Sequence, residues 1–307
     1  MITFTFPATF SLAGLVVRWE TVAAAVAVLV ALVIAELIAR QTPVDLELEP
    51  DAPSSDPEID GPNHLRADDL LFIAVAALPG AVIGGRLGYA VLHLAYYQAD
   101  LGALLDYTKG GLELSMGVVG GTITASIVAM LLGAPLGRWL HALAIPLVVL
   151  LGLVKLAMVF GGTGQGVPTD FSLTTRYLGD GPWGSLAPQV PSWPSQAIEA
   201  LATVLAGGLA WFFMAVGIFR RRNGASFFLA LGLWAVARAM VATTWRDPAV
   251  VGTLSAGQLL AIGLATACAL LVIGFASAAA VQRALGGDGE EDDDDAEDDH
   301  PVAWPTR

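Results

Sequence analysis

The stretch that decides the fold is WLHALAIPLVVLLGLVKLAMVFG, residues 139–161. Apart from the neutral His141, its one ionisable side chain is Lys155, close to its end. The hydrocarbon core of a bilayer is about 30 Å thick, and a helix needs roughly 20 apolar residues to cross it. The stretch therefore predicts a transmembrane helix with a lysine placed inside the membrane.

Six more segments of this kind give seven predicted spans in all. They lie at about 17–39, 70–95, 112–133, 139–161, 197–218, 226–244 and 256–281. The composition agrees, because 55% of residues are hydrophobic and 14% charged, against about 25% charged in soluble domains. Mean hydropathy is +0.67. The sequence predicts an all-α membrane protein whose first apolar stretch, too long for a signal peptide, remains as the first helix.

The net charge of −13 comes mainly from two acidic segments. One is a Pro-rich loop at 41–69, and the other is the tail at 285–307. Such segments cannot bury enough apolar surface to fold, so both are expected to be disordered and solvated. They flank or interrupt a transmembrane domain at 1–284, which also contains a long Gly- and Pro-rich loop at 162–195. No large basic cluster is present, which argues against nucleic-acid binding.

Basic residues are unevenly divided between the two sets of loops. The segments after the first, third, fifth and seventh spans contain Arg40, Arg66, Arg138, Arg220, Arg221, Arg222, Arg283 and Arg307. The opposite set contains only Lys109, Arg176 and Arg246, with Arg18 near the start of the first span. Because positively charged loops stay cytoplasmic, the N-terminus is predicted outside and the C-terminus in the cytoplasm. The loop at 162–195 would then face outwards.

Besides Arg18, which lies at the edge of the first span, three cations fall within predicted spans, namely Arg86, Lys155 and Arg238. Each costs about 2.5–3.5 kcal/mol at the centre of a helix on insertion scales, so each calls for an anionic partner. One interpretation is a structural pair, with Glu113 or Glu199 as the partner of Arg86. The other is a ligand site, because three converging cations suit the phosphate of an anionic lipid. The residues alone leave both open.

Several motifs together resemble those of the prolipoprotein diacylglyceryl transferases, bacterial membrane enzymes that begin lipoprotein maturation. The resemblance is collinear from about Thr5 to Ile273. It rests on Val17-Arg18-Trp19, the GGRLGY block from Gly84 to Tyr89, Gly110-Gly111-Leu112 with Gly117, Gly120 and Gly121, Gly166 with Pro168-Thr169-Asp170, Pro194-Ser195-Gln196 with Glu199, Arg246-Asp247-Pro248, and Ser255-Ala256-Gly257-Gln258-Leu259-Leu260.

The resemblance implies that a diacylglyceryl group passes from phosphatidylglycerol to a cysteine thiol of a prolipoprotein, in the bacterial plasma membrane. It implies no cofactor, metal or nucleic acid. The catalytic residues it suggests are Arg86, Ser115 and Lys155. The lipid- and phosphate-binding residues it suggests are Arg86, Tyr89, Gly111, Lys155, Gln196, Glu199, Arg238, Arg246 and Gln258.

The chain departs from the family pattern at several positions. Glu20 replaces a Tyr, Ser115 a His, Lys155 an Arg, Met158 an Asn and Thr163 an acidic residue. These changes keep a second hypothesis open, that of a family member that binds lipid or regulates a partner without catalysis. A third, a transporter whose buried charges line an ion path, is weaker because the two halves show no evident repeat.

Overall fold

The computed structural model describes residues 1–44, 64–106, 109–219 and 222–286. Most of the predicted acidic loop and nearly all of the predicted acidic tail lie outside these residues. The chain is mostly helical, and seven of the described helices are long and apolar enough to cross a membrane. The predicted seven-helix membrane architecture is confirmed. The predicted orientation of the termini stays a prediction.

The bounds of the seven spans are as follows. They are α1 (Trp19–Ala39), α2 (Ala67–Leu92), α4 (Leu114–Leu131), α5 (Leu136–Gly161), α6 (Ser195–Ala215), α7 (Ala225–Val241) and α8 (Ala256–Gly286). A short helix α3 (Leu94–Ala99) and a 3-10 turn at Leu101–Leu104 precede α4, and another 3-10 turn at Ala242–Thr244 extends α7. Predicted and observed span boundaries differ by only a few residues at most ends.

Close packing of the spans depends on small residues. On α1, every fourth residue from Ala27 to Ala39 is a buried alanine, and this stripe lies on the helix that packs along α5. Between α2 and α4 the small residues are glycines. A Cβ on Gly84 would overlap the carbonyl oxygen of Met116, and one on Gly120 would overlap that of Gly80. Such contact brings helix backbones together where no hydrophobic force between helices exists.

The short strands lie at one end of the bundle. Strand β1 (Ile2–Phe4) pairs in parallel with β4 (Thr175–Tyr177), while β2 (Thr9–Leu12) and β3 (Leu15–Arg18) form a hairpin. A second hairpin joins β5 (Ala249–Val251) to β6 (Leu254–Ser255). We call residues 1–18 and 162–194 together the cap. They occupy the end at which α1 begins and α5 ends.

Tyr177 fastens the cap to the bundle. Its ring stacks on Phe4 with centroids 4.9 Å apart and packs against Trp183 at 4.8 Å. Its hydroxyl donates to the carbonyl oxygen of Val159, in the last turns of α5, at 2.9 Å. Burial raises the pKa of Tyr177 to about 12, so the phenol stays protonated and keeps donating at physiological pH.

Replacing Gly84 with alanine should weaken the bundle. The added methyl group meets backbone that cannot move independently, and overpacking of this kind costs about 1–3 kcal/mol. The thermal midpoint in detergent should fall clearly below that of the wild type. Gly208→Ala is the matched control, because a Cβ at Gly208, also within a span, meets nothing within 4 Å. Equal midpoints for the two variants would contradict the packing argument.

Candidate active site

Five polar side chains from four spans meet inside the bundle. The charge cluster consists of Glu113 and Ser115 at the start of α4, Lys155 on α5, Glu199 on α6 and Arg238 on α7. Each of the five is at most 8% exposed. Glu199 joins the two cations, since its Oε1 lies 2.6 Å from Nη1 of Arg238 and its Oε2 lies 2.9 Å from Nζ of Lys155.

The ends of the helices stabilise the charges of these residues. Glu113 is the N-cap of α4, where its carboxylate accepts a hydrogen bond from the backbone N–H of Met116 at 2.7 Å. Arg238 lies in the last turn of α7. Carboxylates are stabilised at the positive N-terminal end of a helix and cations at the negative C-terminal end. The antiparallel spans thus bring both favourable ends together on the cap side.

Each of the three guanidinium nitrogens of Arg238 donates a hydrogen bond to a side chain. Its Nε donates to Oγ of Ser115 at 3.1 Å, Nη1 to Glu199 at 2.6 Å and Nη2 to Oε1 of Glu113 at 3.2 Å. The ring of Trp245 lies 4.4 Å from the guanidinium carbon, and that of Trp234 lies 5.7 Å from it. The guanidinium group is therefore held by hydrogen bonds and by the neighbouring aromatic rings.

Lys155 is less enclosed by polar partners. Its ammonium pairs with Glu199, and it lies 5.6 Å from the ring centroid of Trp245. An ammonium has three N–H donors, so further donors remain for an incoming oxygen. With two cations and two carboxylates the cluster is formally neutral, as buried charges in a membrane need to be.

Arg86 lies apart from these ion pairs. Its guanidinium donates to the main-chain oxygens of Ala103 at 2.6 Å, Asp106 at 2.7 Å and Leu104 at 2.8 Å, and weakly to Gly111 at 3.4 Å. The structural alternative considered from the sequence, a pair with Glu113 or Glu199, is not what the structure has: those carboxylates contact Lys155 and Arg238. Of the three cations expected to converge, two do.

Arg246 likewise bonds to loop backbone. Its Nε donates to the carbonyl oxygen of Gly166 at 2.7 Å, Nη2 donates to Oγ of Ser192 at 3.1 Å, and Nη1 donates to the carbonyl oxygen of Leu186. The residue therefore joins the segment after α7 to the cap. Its predicted role in phosphate binding stays a prediction.

The remaining predicted site residues occupy the framework around the charge cluster. Gln258 bridges the backbone N–H of Ser255 and the carbonyl oxygen of Ala239. Tyr89 packs its ring near Gly111. Gln196 is 1% exposed and donates to the hydroxyl of Tyr177 at 3.0 Å, while its Oε1 has no hydrogen-bond partner among the described residues. That buried acceptor is available to a hydroxyl group or a water molecule.

A family model described as prolipoprotein diacylglyceryl transferase matches residues 7–274. The match covers six whole spans, most of the seventh, and every residue of the charge cluster. The chain belongs to this family.

Relatives with the name phosphatidylglycerol–prolipoprotein diacylglyceryl transferase occur in several bacteria. The protein of Finegoldia magna is 24% identical over 204 residues, covering 66% of this chain and 76% of the relative. That of Geobacter sulfurreducens is 31% identical over 208 residues, covering 64% of this chain and 74% of the relative. The Gluconacetobacter diazotrophicus protein is 30% identical over 213 residues, covering 66% and 72%.

Two of the departures from the family pattern contact each other. Oγ1 of Thr163 donates to Oε2 of Glu20 at 2.9 Å, and Arg18 pairs with the same carboxylate at 3.2 Å. The expected pattern has a hydroxyl at position 20 and a carboxylate at position 163, and this chain has a carboxylate at 20 bonded to a hydroxyl at 163. A Cβ on Gly161 would overlap this carboxylate, so that glycine makes room for it.

Reversing the exchange tests whether the two substitutions compensate. Glu20→Tyr and Thr163→Glu should each lower the thermal midpoint, because the first removes the carboxylate that Thr163 and Arg18 contact and the second places two carboxylates side by side. In a double-mutant cycle, the double variant should lose less stability than the two single variants lose together. Additive losses would show that the two positions changed independently.

Neutralising Glu199 should destabilise the protein strongly. In Glu199→Gln, Lys155 loses its ion pair and Arg238 keeps only Glu113, and removing one partner of a buried pair costs roughly 3–5 kcal/mol. Thermal unfolding in detergent measures the loss. Glu36→Gln is the matched control, because the Glu36–Arg40 pair is exposed and such pairs contribute about 1 kcal/mol or less. Similar thermal midpoints for Glu199→Gln and Glu36→Gln would contradict the central role of Glu199.

Proposed function

We propose that this chain transfers a diacylglyceryl group from phosphatidylglycerol to the cysteine thiol of a prolipoprotein. The observation that carries the proposal is the Lys155–Glu199–Arg238 arrangement, at the cap side of a seven-span bundle in a member of this family. A phosphodiester at the membrane surface needs charged donors once water is excluded, and cations buried at the end of the bundle supply them.

The chemistry explains why a cation is required. The cysteine sulfur attacks the terminal glyceryl carbon, a C–S bond forms, and the C–O bond to phosphate breaks. The bonding pair leaves with glycerol phosphate, and the thiol proton passes to that phosphate or to solvent. Negative charge therefore grows on the leaving phosphate, and a cation held in a water-poor site stabilises it more in the transition state than in the ground state.

We assign phosphate contact to Lys155. Its ammonium is held by one carboxylate, whereas the guanidinium of Arg238 is fixed in place by three side chains, Ser115, Glu113 and Glu199. Arg238 is then the residue that holds both carboxylates in place. Because lysine acts as a point charge rather than a two-pronged donor, it tolerates a shift of the phosphate during bond breaking. The unbonded Oε1 of Gln196 is a suitable acceptor for a headgroup hydroxyl.

The other site predictions fit this proposal as frame residues. Arg86 holds residues 103–106 and Gly111, and Arg246 holds the cap. Tyr89 packs beside Gly111, and Gln258 joins the end of α7 to the start of α8. We place the protein in the bacterial plasma membrane with the cap outside, where prolipoproteins would meet the site.

Glycerol phosphate release is the direct test of the proposal. The full-length protein would be reconstituted in vesicles containing phosphatidylglycerol and mixed with a peptide bearing a lipoprotein-type cysteine. Lys155→Ala should reduce release about 100-fold or more, in the range measured when one transition-state donor is removed, and Lys155→Arg should retain part of it. The lipid-facing variant Trp211→Leu, at a side chain that is 61% exposed, should behave as wild type.

One observation favours the non-catalytic alternative. Ser115 stands where the family has His, and its hydroxyl accepts from Arg238, so this position supplies no imidazole base. Binding of phosphatidylglycerol that depends on Lys155 but gives no glycerol phosphate would support a lipid-binding role and overturn the transferase proposal.

A further inference from the structure

Trp245 contacts both cations of the charge cluster. Its ring centroid lies 4.4 Å from the guanidinium carbon of Arg238 and 5.6 Å from Nζ of Lys155. Within the described residues, no other aromatic ring contacts both cations. The residue follows the 3-10 turn that ends α7, so its indole stands between the ion pairs and the loops on the cap side.

Both chain neighbours of Trp245 are hydrogen-bonded to the cap, Thr244 through its backbone and Arg246 through its side chain, and Thr244 is also bonded to Ser195 at the start of α6. The carbonyl oxygen of Thr244 accepts hydrogen bonds from the backbone N–H of Val167 at 3.0 Å and from Oγ of Ser195 at 3.2 Å. The next residue, Arg246, is bonded to Gly166 and other cap residues. The indole is therefore placed by the cap and does not depend on α7 alone.

The edge of the ring rests on the first turn of α8. A Cβ on Gly257 would lie 3.1 Å from Cζ3 and 3.6 Å from Cε3 of the indole. The 3.1 Å distance is shorter than an ordinary van der Waals contact. A side chain at position 257 would consequently push the ring by a few tenths of an ångström, so the glycine helps to set the position of the ring.

An aromatic face acts on a cation differently from a carboxylate. It attracts the charge and excludes water from one side, but it does not neutralise the cation. Lys155 is thus pulled towards Glu199 and towards Trp245 at once. The indole limits where the ammonium can lie without using the donors that a phosphate would need.

We propose that Trp245 is a positioning residue that holds the ammonium of Lys155 for the phosphate of an anionic phospholipid. This inference rests on the proposed function. It adds that the cap controls the reactive geometry through one indole ring, rather than merely covering the site. Since Trp245 acts through Lys155, its effect should appear mainly where charge develops on the leaving group.

Kinetics of glycerol phosphate release separate positioning from simple stability. Trp245→Leu should lower kcat about tenfold, with KM for the lipid changed less than about threefold, because small misplacements of a catalytic group are costly. Trp245→Phe should restore most of kcat, since phenylalanine also presents an aromatic face. Gly257→Ala should lower kcat without lowering the thermal midpoint, because alanine favours the helix while displacing the ring. Unchanged kcat in Trp245→Leu would overturn the inference.

A spectroscopic measurement works even if the protein proves inactive. With 5-fluorotryptophan incorporated, the fluorine resonance absent from Trp245→Phe identifies Trp245. That resonance should move on Lys155→Met, and it should move when phosphatidylglycerol, but not phosphatidylcholine, is added in nanodiscs. Movement without glycerol phosphate release would support the inference for a lipid site while overturning the transferase function. Lys155-dependent release with a resonance that never responds to phosphatidylglycerol would retain the function and overturn the inference.

Discussion

The structure depends on the double contact of Glu199 with Lys155 and Arg238. Removing several charges from water is costly, and the cost is recovered only when each charge has a partner at close range. Glu199 meets this requirement for two cations from different helices, so α5, α6 and α7 have to approach at one level. Glu113 brings α4 to the same point through Arg238. Four spans are thereby set at one depth by a single ionic arrangement.

Small side chains and helix direction make that arrangement possible. Glycines and alanines let the spans approach until polar side chains of ordinary length reach one another. Alternating helix direction places the favourable dipole end beside each charge. A pair of charges at the same depth, without close helix packing and without helix ends beside it, would lack both forms of stabilisation. The charge cluster is therefore a product of the whole bundle, although few of its members are close in sequence.

Hydropathy was sufficient to predict the seven spans, because a bilayer imposes a length and an apolar composition on each helix. It also singled out Lys155, Glu199 and Arg238, since buried charges are conspicuous in apolar segments. The pairing was less predictable. Arg86 looked equivalent to Lys155 in sequence, yet it bonds to main-chain oxygens of a loop that hydropathy does not describe. Trp245 was missed, because an aromatic residue after a span is ordinarily an interfacial anchor and only three-dimensional contact gives it another role.

The parallel pairing of β1 with β4 has a consequence for how the protein is made. Ile2 is partnered by Thr175, and α1, α2, α4 and α5 lie between them in the chain. The first strand to leave the ribosome therefore waits until four spans have been synthesised before its partner exists. Contacts of such long sequence separation form late, because the loop must close before they contribute. The cap can therefore close only after α5 has been made, while Glu199, Arg238 and Trp245 lie in still later parts of the chain, so the charge cluster is completed after the partner of β1 already exists.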